Sequence, residues 1–152
     1  MNGRVAKILA PTALLVTTML AVSAPAAASP SQPVTMTVLS SIDPEAVDPF
    51  TSTGGIVCAT GEVSTLSTVF AGGQSGFHAQ ITTVKHFECE TGSFDVLVRV
   101  TLDEVTFNTE GTWTVLRGTG AFEGLHGSGR VTGTRVADDK VLDEYTGSMH
   151  IN

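Results

Sequence analysis

Phe94-Asp95-Val96-Leu97-Val98-Arg99-Val100-Thr101-Leu102-Asp103 is the stretch that decides the fold. Phe94, Val96, Val98, Val100 and Leu102 recur at every second position, while Asp95, Arg99, Thr101 and Asp103 fall between them. A repeat of two is the geometry of a β-strand with one buried and one wet face. Outward from it, Val34 to Ile42, Ile56 to Val63, Phe77 to Glu90, Thr112 to Arg117, Gly127 to Val136 and Val141 to Ile151 are also rich in Val, Thr, Ile and Phe and are bounded by Gly, Asp and Pro. Asp43-Pro44-Glu45 and Asp48-Pro49 read as an exposed loop. No long stretch keeps a helical period, so the domain reads as all-β. Seven or eight strands in one small domain must split into a sandwich or curl into a barrel, and closure removes exposed edges. Glycine is dense from Gly111 to Gly133, where it permits sharp turns and close backbone approach.

Ahead of the strands, Arg4 and Lys7 precede an apolar run from Ile8 to Val22, which leads to Ala24-Pro25-Ala26-Ala27-Ala28. These are the three parts of a cleavable secretory signal over residues 1–28. The run carries Pro11 and is shorter than the roughly 20 residues needed to span a bilayer. Secretion of a soluble, extracellular protein is therefore expected. Loss of 28 of 152 residues leaves 124, enough for one domain. It also takes Lys+Arg from 8 to 6 against 15 Asp+Glu, a net charge of −9. Nucleic acid and anionic membranes are poor partners for such a surface. The acids, Asp48 among them, are scattered as on a solvated surface, and the neighbouring pairs Asp103-Glu104, Asp138-Asp139 and Asp143-Glu144 read as solubility rather than as a catalytic dyad.

Cys58 and Cys89 lie in the exported part and belong to no metal-type cluster, so a disulfide is expected. If the two face each other on antiparallel neighbours, Glu62 lies opposite Lys85 and Thr60 opposite Phe87 on the disulfide's face. An inward-facing Glu62–Lys85 ion pair would then be costly to bury, and so of functional interest.

Gly118-Thr119-Gly120-Ala121-Phe122-Glu123-Gly124 is not a nucleotide loop, because its third glycine comes late and no helix follows; it reads as a hairpin or barrel corner. Ser75 and Ser128 lack the strand-to-helix turn of a nucleophile elbow and read as turn serines. His78, His86 and Glu88 share a strand face, yet a further ligand is missing nearby, and no metal is expected. His126 and His150 read as isolated. Trp113 and Tyr145, the one Trp and one Tyr of the chain, each place an apolar body with a polar tip on a strand, suited to core packing or to lining a cavity.

Gly111-Thr112-Trp113-Thr114-Val115 followed by Gly118 through Gly129 resembles the hairpin of the allene oxide cyclase barrel-like family, itself similar to plant dirigent proteins. Val84-Lys85-His86-Phe87-Glu88-Cys89 and Asp143-Glu144-Tyr145-Thr146-Gly147 resemble segments of its secreted bacterial branch. The strand pattern begins past Pro33, so the domain is expected over residues 34–152 behind a flexible mature N-terminus at 29–33, and the resemblance implies that it is a single eight-stranded antiparallel up-and-down barrel. It implies an apolar internal cavity, no cofactor, and assembly into dimers or trimers. On this reading Trp113, Tyr145, Phe94, Val96, Val98, Glu62 and Lys85 line a cavity for a small apolar molecule. One alternative is a cofactor-free cyclase or isomerase that steers a lipid or polyketide-like intermediate by positioning; no catalytic residue is transferred to this chain. Another is an extracellular inhibitor or envelope-interaction protein whose barrel is filled with side chains.

Overall fold

The computed structural model describes residues 29–72 and 78–152. The expected signal peptide, Ser75 and the Phe77 start of a strand lie outside the described residues. Eight strands, β1 (Gln32–Ser41), β2 (Val47–Thr53), β3 (Thr60–Gly72), β4 (His78–Cys89), β5 (Gly92–Asp103), β6 (Thr109–Gly118), β7 (Leu125–Ala137) and β8 (Lys140–Ile151), pair in sequence order. All pairs are antiparallel, and β1 closes on β8. The all-β reading and the closed up-and-down barrel both hold. The glycine-rich segment forms the corner between β6 and β7 around a short 3-10 turn at Gly120–Phe122.

The inward half of the alternation in β5 is realised, with Phe94, Val96, Val98 and Val100 buried and Leu102 partly buried at the strand's end, but the outer face is not wet throughout: Asp95 is itself buried beneath His86 and Arg117. Inside the barrel, Phe87 is the hub of an aromatic cluster. Its ring stacks on Phe94 at 5.0 Å and meets Phe50 and Tyr145 edge-on at 5.1 and 5.8 Å. Phe122, from the β6–β7 corner, closes this end against Phe94. Trp113 is buried beside them, its indole N–H donating to the Thr146 carbonyl at 3.2 Å. Glycine is required next to it: a Cβ on Gly129 would stand 2.0 Å from the Thr146 carbonyl oxygen, and one on Gly147 2.6 Å from the indole.

The stretch read as a loop contains β2. Pro49 and Asp48 signal a turn, but Pro49 lies just outside the β1–β2 ladder, which reaches only as far as Phe50 opposite Val38. A proline's missing N–H costs nothing there. Asp48 is buried rather than solvated, and its carboxylate accepts the Ser41 N–H at 2.8 Å.

Three bulges, at Leu66, Leu116 and Val136, each add a residue without a ladder partner. All three side chains are exposed apolar groups. An extra residue resets the alternation, so an apolar side chain is turned outward there.

The Cys58–Cys89 disulfide is present, with a Cα separation of 6.0 Å. The register inferred from it is not. Cys58 lies in the connection before β3, so the bond joins a loop to the end of β4 instead of spanning a ladder pair. Glu62 faces Glu88, Val63 faces Phe87, Thr65 faces Lys85, and Thr60 pairs with Thr51 of β2. The displacement is three residues, and an odd displacement exchanges faces. Glu62 therefore points outward and is exposed, and there is no Glu62–Lys85 pair.

Candidate functional site

The interior residues change character along the barrel. Near the Gly120–Phe122 corner they are Phe, Trp, Met and Val, which fill the space. Toward the opposite end they become Ser40 on β1, Thr65 and Thr68 on β3, and Thr83 on β4, which are too small to meet across it. A cavity of about 480 Å³ results, open at the end formed by the β1–β2, β5–β6 and β7–β8 connections. An interior filled at both ends, expected of a barrel acting only through its outer surface, is thus not what the described residues form.

The cavity wall is apolar, formed by Ile81, Val98, Val100, Val131 and Val141. At its mouth Ile42 and Phe70 are 65% and 69% exposed, a hydrophobic rim around an apolar interior. Phe107 joins them with a positive φ of 59°, a conformation rare for a bulky residue. The Arg135 guanidinium lies 4.7 Å from its ring centre and the Phe107 N–H donates to the Asp103 carbonyl at 2.7 Å, in a turn whose Val105 and Thr106 N–H groups are accepted by the Asp103 carboxylate.

Polar groups converge deeper in, beside Tyr145. Lys85 Nζ donates to Thr65 Oγ1 at 2.9 Å. Ser40 Oγ donates to Asp143 Oδ2 at 2.6 Å. Burial depresses the Lys85 pKa, with Asp143 and Asp48 opposing it through space. Burial raises that of Asp143 against the Ser40 hydrogen bond and the Lys85 charge. Burial, together with the nearby Asp143 charge, pushes the Tyr145 phenol well above its ordinary value, so it keeps its proton. The site thus offers donors from Lys85 and Tyr145 and one adaptable carboxyl, held by Ser40, at the end of an apolar chamber.

Of the residues expected to line a cavity, Val98, Lys85 and Tyr145 do so. Trp113, Phe94 and Val96 are buried in the packed half, and Glu62 is outside. Asp143, Asp48 and Ser40 were not anticipated. The signal for Asp143 is its place two residues before Tyr145 and two after Val141 on one strand. Adjacent carboxylates do lie on opposite faces, but for Asp143-Glu144 that puts one inside, which corrects the reading of the pair as solubility alone.

On the outer surface His86 bridges two carboxylates, Nδ1 to Asp95 at 2.6 Å and Nε2 to Glu88 at 3.2 Å, while Arg117 Nε donates to Asp95 at 2.6 Å. Among the described residues no cluster of three or more His, Cys, Asp or Glu is arranged to hold a metal. His126 and His150 are not isolated: they stack at 5.5 Å across β7 and β8.

The His86 pKa is raised, chiefly by the hydrogen bond to Asp95. For Asp95 desolvation acts upward, but the hydrogen bonds from His86 and Arg117 outweigh it and its pKa is lowered. The histidine's contribution is complete below its unfolded pKa of about 6.5 and is lost as pH rises through the higher folded value; the aspartate's is present above about 3.9 and is lost as pH falls through the depressed folded value. His86→Asn should therefore destabilise most between about pH 4 and 6.5 and progressively less at higher pH. Urea unfolding of both proteins across this range checks it; a pH-independent difference contradicts it.

Among the described residues no helix is long and apolar enough to cross a membrane. No protein family's sequence profile matches the chain, and no curated protein is significantly similar to it.

Proposed function

We propose that the protein is a secreted barrel that binds a small apolar molecule with one polar end, its body against Val98, Val100 and Val131 and its polar end beside Lys85, Tyr145 and Asp143. The observation that carries this reading is the cavity itself. Its volume lies within the range of small-molecule sites, its wall is apolar, and its polar groups gather in one place. The disulfide fits an oxidising compartment. An eight-stranded barrel also fits the resemblance to the allene oxide cyclase barrel-like family.

A second reading, a cofactor-free cyclase or isomerase, is favoured by one observation. Lys85 and Asp143 share the cavity with pKa values displaced toward each other, as acid–base partners require.

Titration with the neutral fluorophore N-phenylnaphthylamine tests the binding reading. Saturable binding is expected, and Val98→Trp, which places an indole in the chamber, should weaken it by about tenfold or more while thermal unfolding stays cooperative. Equal binding by the folded Val98→Trp variant would place the probe elsewhere and overturn the reading.

A further inference from the structure

We propose that Lys85 is a nucleophilic amine that condenses with the carbonyl group of an apolar aldehyde or ketone held in the cavity, with Asp143 moving the protons. This rests on the binding reading above. The sequence contains three lysines, Lys7, Lys85 and Lys140, and Lys7 lies outside the described residues. Lys140 donates to Ser41 Oγ at 2.7 Å and lies 3.6 Å from the Asp48 carboxylate at the barrel end. Lys85 lines the cavity, and its hydrogen-bond partner is the neutral Thr65 hydroxyl. None of the ion pairs among the described residues involves it. Desolvation without a contact ion pair favours the neutral amine, the form that attacks carbonyl carbon.

The lone pair of Nζ forms the C–N bond and the carbonyl π electrons pass to oxygen; the Asp143 carboxyl gives that oxygen a proton and, as the carboxylate, takes one from the new ammonium nitrogen, which leaves a neutral carbinolamine and the carboxyl restored. The carbinolamine then breaks its C–O bond. The Asp143 carboxyl protonates the departing hydroxyl, and the resulting carboxylate takes the proton from nitrogen. Amine and carbonyl yield imine and water, with no oxidant or reductant. Asp143 suits both transfers, since burial favours its neutral form and Ser40 steadies its charged form.

The purified protein is incubated with cinnamaldehyde and cyanoborohydride, and the reduced adduct is located by peptide mass mapping. Cinnamyl alcohol, which cannot form an imine, is tested in parallel for displacement of N-phenylnaphthylamine. Labelling of Lys85 should exceed that of Lys140 and the terminal amine by about tenfold or more in rate. Asp143→Asn should slow it by about tenfold when the rates are compared at equal occupancy of the cavity, the occupancy being read from displacement of N-phenylnaphthylamine in the same variant. Lys85→Met and Lys85→Arg should both lose the adduct, the second keeping the charge. Displacement by the alcohol with Lys85 labelled no faster than Lys140 would overturn the imine chemistry and leave the binding reading intact. Failure of the alcohol and the aldehyde alike to displace the probe would overturn both.

Discussion

Phe87→Ala should lower the free energy of unfolding by about 3–5 kcal/mol, the largest effect of any single side chain considered. Phe87 is fully buried and, among the described residues, is the one ring in contact with Phe50, Phe94 and Tyr145 together. Its removal loses the transfer energy of a benzyl group, forfeits three aromatic contacts, and leaves a void that strands pinned by ladders on both sides cannot collapse into. The void also adjoins the chamber above Tyr145, so the divide between packed and open halves weakens. Urea unfolding should show a lower midpoint with an unchanged slope. Phe87→Leu, which keeps most of the apolar volume, should cost less. Glu62→Ala, on the outer face, should stay within about 0.5 kcal/mol. A Phe87→Ala cost near that of Glu62→Ala would mean that the aromatic layer does not support the barrel.

The second large effect is expected from Cys58→Ser combined with Cys89→Ser, about 3–4 kcal/mol in the chain-entropy treatment for a separation of 31 residues. The bond anchors the β2–β3 connection, where Val57 is buried, Ile56 packs on the core, and the Cys58 carbonyl accepts the Ser52 hydroxyl at 2.7 Å. Without it that connection keeps these contacts and the bond from the Ser52 N–H to the Ala59 carbonyl at 2.8 Å, while the unfolded chain regains its freedom. The double variant and the reduced wild type should unfold at the same urea concentration. Neither cysteine lines the cavity, so affinity for an apolar probe should be unchanged where the variant is folded. A stability loss below about 1 kcal/mol would contradict the assignment of this bond as a principal constraint on the fold.

The strand alternation from Phe94 to Leu102 was legible because it needs only a period of two and a wet outer face. What alternation does not encode is height. Phe94, Val96 and Val98 share a face, yet two lie in the packed half and one lines the chamber, because that depends on which residues of seven other strands stand level with them. Register was illegible for a related reason. A disulfide needs only a short Cα separation, which a loop residue such as Cys58 satisfies as readily as a strand partner, and this error of three residues moved Glu62 to the wrong face. β2 was hidden because Asp48-Pro49 has turn chemistry. In the barrel, Pro49 falls just outside the β1 ladder and the Asp48 carboxylate serves the last amide of β1. Asp143 was hidden by its neighbour Glu144, although its spacing from Val141 and Tyr145 already placed it on their face.

If one half of this barrel is an open apolar chamber ending in a polar cluster, a ligand can be located there. Crystals soaked with a brominated alkane should show anomalous bromine density among Val98, Val100, Val131 and Tyr145, and none in crystals of the Val98→Trp variant. Bromine confined to the outer face, with the chamber occupied by the protein's own side chains, would contradict it.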